Sequence, residues 1–221
     1  MRCNVLVETL TDGTIVEEQT IAERLTRAAI RAYRMYPFTD VDAAVVAEVA
    51  GVPVDVVTRA FPSWDALLLV TYDYWTQLRG STRRRKPSCA VDHVRMTLAE
   101  DIADPGLVRV LAGVINIAGA DTSFAELFRK RYEDYVTQLA VALRRDFDAG
   151  VEASVVPAER AATQLLALYE GFQIQLLVRP GLDVLTEWDE AVRGLRAGWR
   201  TPRPIPAWDI DSVPTSPILP V

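Results

Sequence analysis

The residues that most often perform chemistry in proteins are few and isolated in this 221-residue chain. His93 is the single histidine, so a His-dependent catalytic site or a multi-histidine metal site is not expected. Cys3 and Cys89 form neither a disulfide framework nor a zinc pattern, and two such thiols fit a reducing cytosol. The sequence also lacks a glycine-rich phosphate loop and a nucleophile elbow. We therefore expect a cytoplasmic protein that is not an enzyme and has no metal site or cofactor.

Charged residues offer two further candidate sites. The basic run at 83–86 (RRRK) has the composition of a nucleic-acid patch, but a surface loop at the end of a helix is the preferred interpretation. The acidic residues of the second half follow no EF-hand or Glu-x-x-His spacing. We interpret them as solvated helix faces: Glu126, Glu133, Asp134, Glu187, Asp189 and Glu190.

Composition and charge narrow the class of protein. Half of the residues are hydrophobic and 24% are charged, which is the balance of a globular protein. Neither a membrane span nor a secretory signal is expected, because no apolar run is long enough. The net charge is −6, and residues 1–86 hold 11 basic and 11 acidic residues whereas 87–221 hold 13 and 19. An acidic chain is unfavourable for nucleic acid, and the asymmetry indicates two regions with different roles.

Apolar residues recur at helical spacing along most of the chain, and no alternating strand pattern is sustained. Asp42 and Ser63 are suitable N-caps, Gly51 suits a helix end, and Pro53 suits the opening of a helix. Residues 5–9 could form a strand, but no partner strand is evident. The predicted helices are 20–36, 43–50, 54–61, 64–78, 90–103, 105–118, 122–148, 157–178 and 182–199.

These helices predict an all-α protein in which a three-helix N-terminal unit precedes a larger C-terminal helical bundle, with about nine helices in total. We expect an N-terminal arm at 1–19, the three-helix domain at 20–64 and the bundle at 65–199. Six of the 13 prolines lie in the last 20 residues, so 200–221 is predicted to be a Pro-rich extended tail.

Two short helices joined by a Gly-containing turn, behind a longer helix, follow the helix-turn-helix plan. The motifs within it are Leu25-x-x-Ala28-Ala29 with Tyr33, Val46-Ala47-Glu48-x-Ala50-Gly51-Val52, and Phe61-Pro62-Ser63-x-Asp65-Ala66-Leu67-Leu68. Over residues 25–69, this order and spacing resembles the TetR-type (tetracycline-repressor-like) transcriptional regulators. Residues 161–180 (AATQLLALYEGFQIQLLVRP) are similar to the penultimate, dimer-forming helix of that family.

The resemblance implies a cytoplasmic homodimer that represses transcription. Residues 20–64 would then bind DNA, and residues 65–199 would bind a ligand and dimerise. The ligand would change the separation of the two recognition helices, one in each subunit.

The residues that would touch DNA depart from the family pattern. The family's usual Tyr in the third helix and Lys at the start of the fourth, which anchor phosphates in relatives, correspond to Thr58 and Trp64. Arg59 is the one obvious base or phosphate contact. Arg24 and Arg27 could contact phosphate or could belong to a solvated face. The predicted DNA-contacting residues are Arg24, Arg27, Asp42, Pro53, Val54, Asp55, Thr58, Arg59 and Trp64.

A pocket between the bundle helices is expected from the resemblance, although aromatic residues at helical spacing also suit an ordinary core. Tyr132 and Gln173 would provide its polar groups, and His93 is either a polar anchor or a packed histidine. The predicted ligand-binding residues are Trp75, His93, Met96, Phe124, Phe128, Tyr132, Tyr135, Phe172 and Gln173.

The last two helices carry strongly apolar faces that predict a four-helix dimer interface. Burial within one subunit is the alternative, and the dimer is favoured because two exposed tryptophans would be costly for solubility. The predicted dimerisation residues are Leu165, Leu168, Tyr169, Leu176, Trp188, Val192, Leu195 and Trp199.

Two functional hypotheses follow. The first is a transcriptional regulator that binds a palindromic double-stranded DNA operator as a dimer and responds to a small, largely apolar effector. We expect this regulator to be a repressor. The second is a TetR-like dimer with a degenerate DNA-reading helix that serves as a ligand-binding or protein-interaction module. The second is supported by the acidic net charge, by Asp55, and by the absence of the family's usual Tyr and Lys at positions 58 and 64. In this second hypothesis, Trp208 of the tail could contact a protein partner.

Overall fold

The structure is a computed structural model that describes residues 20–119 and 122–201. Within these ranges the chain is all-helical, with nine α-helices, one short 3-10 helix and no strand. The helices are α1 (Ile21–Met35), a 3-10 helix (Phe38–Asp40), α2 (Ala43–Ala50), α3 (Val54–Ala60), α4 (Trp64–Thr82), α5 (Ala90–Ala103), α6 (Gly106–Ala118), α7 (Ser123–Asp148), α8 (Ala158–Val178) and α9 (Val184–Arg200). The predicted all-α class is confirmed.

Helix ends agree with the prediction to within two residues, except at the end of α4. The sequence analysis ended this helix at 78 because Gly80 follows, yet the helix continues to Thr82. Gly80 does not adopt the positive φ of a helix-ending glycine, unlike Gly51 with its φ of +65°. The hydroxyls of Ser81 and Thr82 also donate to the Leu78 carbonyl, at 2.9 and 3.0 Å.

Three predictions concern residues outside the described ranges: the N-terminal arm at 1–19, the optional strand at 5–9, and the Pro-rich tail beyond residue 201. Within the described ranges, no helix combines the length and the apolar character needed to cross a bilayer. The same residues contain no group of three or more potential metal-ligating side chains.

The chain divides into two compact units, unit 1 (Met1–Trp75) and unit 2 (Thr76–Val221). The division falls inside α4, whereas the sequence analysis placed the domain boundary at residue 64. Residues 66–69, near the start of α4, are buried and therefore belong to the core of unit 1. Periodicity along the sequence could not reveal this, because a continuous helix has no break at the point where its environment changes.

In unit 1, α1 opens with a reciprocal capping box between Thr20 and Glu23, as each side chain accepts a backbone N–H of the other residue at 3.2 Å. The small residues Ala28, Ala29 and Ala32 face the core with no exposed surface, which lets α2 and α3 pack closely against α1. Residues 43–60 then form the predicted helix-turn-helix.

In unit 2, helices α5, α7, α8 and α9 share one apolar core. Its largest members are Trp188 and Trp199, which are essentially fully buried. Trp188 packs edge-on against Phe172, with ring centroids 6.1 Å apart. At typical magnitudes, burying such aromatic side chains contributes about 1.5–3 kcal/mol each. This core fixes the relative placement of α7 and α8, which are two of the three helices around the cavity described below.

Candidate functional site

The outward face of α3 presents four of the predicted DNA-contacting residues. Val54, Asp55, Thr58 and Arg59 are all exposed, whereas Val57 on the opposite side is 3% exposed and belongs to the core of unit 1. This partition follows from helical spacing, because residues one turn apart share a face. Pro53 precedes the helix as its N-cap residue and provides no side-chain hydrogen bond to the cap.

The single cation on this face is paired with a carboxylate of the same helix. Arg59 Nη2 lies 2.9 Å from Asp55 Oδ2, and the two side chains are 72% and 63% exposed. The Arg59 Nε–H also donates to the Asp55 carbonyl at 3.2 Å. The face therefore carries no net charge from this pair. Residues 20–75 as a whole contain five arginines, no lysine and seven carboxylates.

Two arginines of α1 hold the carboxyl end of α2. Arg24 Nη2 donates to the Ala50 carbonyl at 2.7 Å, and Arg31 Nη2 donates to the Val49 carbonyl at 3.1 Å. Carbonyls in the last turn of a helix lack intrahelical partners, so a guanidinium is a favourable ligand there. The sequence analysis weighed phosphate contact against a solvated face for Arg24, and the structure adds this intramolecular role.

Arg24, Arg27, Arg31 and Arg34 form a stripe along α1, and the other two of them, Arg27 and Arg34, lie over aromatic rings of α4. The Arg27 guanidinium is 5.1 Å from the Tyr74 ring centroid, and that of Arg34 is 4.9 Å from the Trp75 centroid. Trp75 itself is fully buried in unit 1. It does not line the cavity of unit 2, contrary to its place in the predicted ligand-binding set.

Asp42 and Trp64 have structural positions at helix starts. Asp42 caps α2, since its carboxylate accepts from the Val45 N–H at 2.9 Å. Trp64 is the first residue of α4 and is partly buried. Both lie at helix N-termini, as predicted, and their contact with DNA stays a prediction.

Unit 2 contains a cavity of about 450 Å³ between α6, α7 and α8. Its walls are mainly aliphatic and aromatic, with a few polar groups on α7 and α8. The lining residues are Val108, Leu111, Ala112, Ile115, Ala118, Phe128, Arg129, Tyr132, Glu133, Glu170, Gln173, Ile174 and Leu177. Its volume lies within the range of small-molecule sites, about 300–1,000 Å³.

Three of the predicted ligand-binding residues line this cavity, namely Phe128, Tyr132 and Gln173. The others do not, because their helical positions turn them toward other neighbours. His93 Nδ1 lies 3.0 Å from Arg83 Nη1, and burial lowers the pKa of its imidazole. The remaining residues outside the cavity lining are Trp75, Met96, Phe124, Tyr135 and Phe172.

The polar groups of the cavity lining belong to α7 and α8. The Tyr132 hydroxyl donates to Glu170 Oε1, and Glu133 lines the same wall. Burial and the hydrogen bond to Glu170 raise the pKa of Tyr132 well above its usual range, so the phenol stays protonated. Among the described lining residues Arg129 is the one basic side chain, and its Nη1 donates to the Ala118 carbonyl at 2.7 Å.

Gln173 connects the cavity wall to a buried polar network centred on Asp101. The Asp101 carboxylate accepts from the Tyr169 hydroxyl at 2.6 Å, from Gln173 Nε2 at 3.0 Å and from Arg79 Nη1 at 2.7 Å. Asp101 is 1% exposed, so each of these donors compensates for the cost of burying its charge. The network joins α4, α5 and α8 within unit 2.

The predicted dimerisation residues differ in burial. Leu165, Tyr169, Trp188, Val192 and Trp199 are buried inside the single chain and offer little side-chain surface to a partner, and their part in a dimer stays a prediction. The alternative given in the sequence analysis, burial within one subunit, describes these five residues, because α8 and α9 turn their apolar faces toward α5 and α7. The three leucines Leu168, Leu176 and Leu195 are partly buried, and their contact with a partner stays a prediction.

The basic run at 83–86 is engaged with carboxylates of α5. Arg83 makes a two-pronged contact with Glu100, at 2.6 and 2.8 Å. Arg85 pairs in the same way with Asp92, at 2.7 and 2.9 Å, which holds the pKa of that carboxyl well below its usual range. These contacts agree with the surface-loop interpretation of the run rather than with a nucleic-acid patch.

Sequence reasoning missed most of the cavity wall. The wall formed by α6 follows i, i+3, i+4, i+7 spacing from Val108 to Ile115, which is a signal that was available. Glu133, interpreted from the sequence as part of a solvated face, is exposed and also lines the cavity, whereas Glu170 was not singled out. Glu133 directly follows Tyr132, and Glu170 lies three residues before Gln173 on the same face of α8; both neighbours were in the predicted ligand-binding set and line the cavity.

Comparison with known proteins agrees with this architecture. Residues 90–193, a little under half of the chain, match a family model described as "BetI-type transcriptional repressor, C-terminal". A search of curated proteins by similarity found no match.

Three solved structures illustrate the shared fold. A TetR transcription regulator from Haloarcula marismortui is 18% identical, with a TM-score of 0.66 over 81% of this chain and 97% of that one. A transcriptional regulator from Rhodococcus sp. Rha1 is 22% identical, with a TM-score of 0.63 over 82% and 99%. FadR from Thermus thermophilus, a TetR-family repressor in complex with lauroyl-CoA, is 23% identical, with a TM-score of 0.56 over 84% and 98%.

The helix-turn-helix of unit 1 and the helical bundle of unit 2 therefore define the fold of TetR-type transcriptional regulators, and the resemblance drawn from residues 25–69 is confirmed. Within that class, residues 90–193 are similar to the C-terminal domain of BetI-type repressors.

Proposed function

We propose that the protein is a ligand-responsive transcriptional repressor that acts in the cytoplasm as a homodimer. Each subunit would place α3 in the major groove of one half of a palindromic operator, with the two recognition helices about 34–36 Å apart. A small, largely apolar effector would occupy the cavity of unit 2. The observation that carries this proposal is the presence, in one chain, of an outward-facing α3 and a cavity of about 450 Å³.

The effector would act by preferring a dimer in which the recognition helices are wrongly spaced. DNA and effector would then weaken each other's binding, typically by about 1–3 kcal/mol. The continuous helix α4, whose Arg79 is bound to the Asp101 network, is the element we propose to carry this coupling. Titration of the effector with and without operator tests the coupling, and identical affinities would exclude it.

The chemistry of the effector is suggested by the cavity walls. The Thermus thermophilus relative holds lauroyl-CoA, a ligand with a long acyl chain. The aliphatic wall of α6 here, from Val108 to Ile115, would suit a hydrocarbon chain in the same way. We therefore propose an effector with a hydrocarbon body.

The experiment that tests the regulator is capture of fragmented genomic DNA by the purified full chain at several salt concentrations, followed by sequencing of the retained fragments. We expect one palindrome to be retained well above bulk DNA. On that site, Arg59→Ala should cost about 1–3 kcal/mol of binding free energy. Arg160→Ala, which removes an exposed arginine of α8, is the matched control and should leave binding unchanged.

A second candidate function is a TetR-like module that binds a ligand or a protein without reading DNA. The Asp55–Arg59 pair favours it, because the one cation of the α3 face already has a carboxylate partner. This candidate predicts that a folded dimer retains no specific fragment even at low salt. A role for the tail and Trp208 in partner binding stays a prediction, to be tested by ending the chain after Trp199.

A further inference from the structure

We propose that Arg24 and Arg31 are positioning residues for DNA reading: their guanidinium groups hold the end of α2 on α1 and so set the direction in which α3 leaves the turn. This inference rests on the DNA-binding function proposed above and assigns residues that act on α3 from within unit 1. It follows from the hydrogen bonds of the α2–α3 turn and from the small part of α3 that is buried.

The two arginines share one face of α1. They are seven residues apart in the sequence, which corresponds to about two helical turns. Ala28 lies between them, one turn from each, and has no exposed surface. Because this side chain is so small, α2 packs closely against α1 at this point, and both guanidinium groups reach the carbonyls at the end of α2.

Arg24 binds the residues at which the chain changes direction. Gly51 ends α2 in the left-handed conformation, with a φ of +65°, and this turns the backbone away from the helix axis. Arg24 Nη2 donates to the Ala50 carbonyl at 2.7 Å and lies 3.4 Å from the Gly51 carbonyl oxygen. One guanidinium group therefore bridges the last residue of α2 and the first residue of the turn.

Arg31 provides a hydrogen bond that the backbone cannot form. Pro53 has no N–H, so the Val49 carbonyl, four residues earlier, receives no helical hydrogen bond from that position. Arg31 Nη2 donates to this carbonyl at 3.1 Å. A charged donor is favourable there, because the carbonyl end of a helix carries partial negative charge. Together the two arginines tie the end of α2 to α1 where backbone donors are lacking.

The packing of α3 alone gives it little to fix its direction. This helix has seven residues, and Val57 is the one among them that is buried. So short a helix depends on its surroundings for its position. Its N-cap residue, Pro53, adds no side-chain hydrogen bond. The direction of the exposed α3 residues therefore depends on the turn that the two arginines hold, and base contacts require accurate placement of those residues.

Amide hydrogen exchange of the full chain without DNA tests the positioning. Exchange is followed by mass spectrometry in peptides that cover α3 and, as an internal reference in the same unit, α1. The variants are Arg24→Met and Arg31→Met, which keep a long side chain but remove the N–H donors. In each variant the α3 amides should exchange about tenfold faster than in the wild type, as expected for loss of a charge-assisted hydrogen bond. The α1 amides should be unaltered.

Two further variants separate positioning from charge and from folding. Arg34→Met is the matched control, because it removes the same charge from α1 at a guanidinium that lies over the Trp75 ring. It should leave the exchange of α3 unaltered. Arg24→Lys keeps the charge and a donor but loses the planar guanidinium, so its α3 exchange should lie between those of the wild type and Arg24→Met. Circular dichroism confirms that each variant is folded.

Binding to the palindrome retained in the genomic capture distinguishes positioning from phosphate contact by Arg24. Fluorescence anisotropy over a salt series measures the affinity. Arg24→Met should bind this duplex about tenfold more weakly than the wild type, with the same slope of log affinity against log salt as Arg34→Met. Loss of a phosphate contact would instead make the slope shallower than that of Arg34→Met by about one unit.

Three results would overturn the inference: wild-type exchange of α3 in both methionine variants, an equal rise of exchange in α1, or the shallower salt slope for Arg24→Met. The exchange measurement contains no DNA, so it separates the two proposals. Faster α3 exchange without a retained palindrome would support the positioning and remove the repressor. A retained palindrome with unaltered α3 exchange would do the reverse.

Discussion

Carboxylates are used differently in the two units of the chain. On α3 of unit 1, Asp55 stays in water and pairs with Arg59, with both side chains more than half exposed. In the core of unit 2, Asp101 is withdrawn from water and holds Arg79 at 2.7 Å, with exposures of 1% and 12%. At the cavity of the same unit, Glu170 is partly buried and accepts a hydrogen bond from the Tyr132 hydroxyl.

The difference teaches that environment decides what a charge contributes. An exposed pair such as Asp55–Arg59 contributes about 0–1 kcal/mol to stability, because water screens it. Removing one partner of a buried pair costs about 3–5 kcal/mol, because the other charge is stranded. Glu170 lies between these two cases in burial, and its carboxylate accepts the hydrogen bond of the Tyr132 hydroxyl.

The largest expected effect is at Asp101. Asp101→Ala should lower the free energy of unfolding by about 3–5 kcal/mol, because it strands the Arg79 guanidinium. The Tyr169 hydroxyl and the Gln173 amide would lose the same acceptor. Urea denaturation followed by tryptophan fluorescence measures the change.

The matched control is Asp55→Ala in unit 1, which should cost less than about 1 kcal/mol. Equal losses at the two positions would contradict the comparison. The double variant Asp101→Ala, Arg79→Met removes the stranded charge as well, and should recover part of the lost stability.

A loss of unfolding free energy of comparable size is expected for a substitution at Trp188. This substitution distinguishes a role of Trp188 in the core of unit 2 from a role in the dimer interface predicted from the sequence. Trp188→Ala should cost about 3–5 kcal/mol of unfolding free energy, because it opens a cavity in a packed core. Its sedimentation, under conditions where the variant is folded, should match that of the wild type. Slower sedimentation with unchanged stability would restore the dimer-face assignment. Glu187, the residue before Trp188, is exposed and provides the control: the free energy of unfolding of Glu187→Ala should stay within about 0.5 kcal/mol of the wild-type value.

The smallest effect on stability is expected at the α3 pair. Asp55→Asn should change the free energy of unfolding by less than about 1 kcal/mol. It should nevertheless strengthen binding to a DNA duplex at low salt, because it removes a charge that repels phosphate and frees Arg59. The slope of log affinity against log salt should steepen by about one unit, which fluorescence anisotropy over a salt series measures.

The exposed α2 residue Glu48 provides the control for that experiment. Glu48→Gln removes the same charge elsewhere in unit 1, so it should leave the salt slope unaltered. If both variants steepen the slope equally, the gain reflects net charge alone and the α3 face has no special part in DNA contact.

Local features were predictable from the sequence because their causes are local. Helix spacing, the cap at Asp42 and the left-handed turn at Gly51 depend on residues within a few positions of one another. These signals were enough for the order of the helices, the helix-turn-helix and the outward face of α3. The end of α4 was the exception, because Gly80 stays helical and the Ser81 and Thr82 hydroxyls extend the last turn.

Partners across the fold could not be predicted in this way. A stripe of four arginines on α1 has the same helical spacing whether it faces phosphate, water or protein, and here two members bind the end of α2 and two lie over rings of α4. The apolar stripe of α9 likewise has the same spacing whether it packs in the core of one chain or in a dimer interface. The structure shows that Trp188 and Trp199 of this stripe are buried within the single chain.

The sequence by itself therefore determined the helices, their order and the class of fold, since periodicity, caps and turns are short-range properties. Only the tertiary structure decided which charges are paired, which tryptophans are buried and which side chains surround the cavity. Glu170 shows the physical reason. A carboxylate on a helix is solvated by default, and only the packing of α6 and α7 against α8 makes it part of an apolar cavity wall.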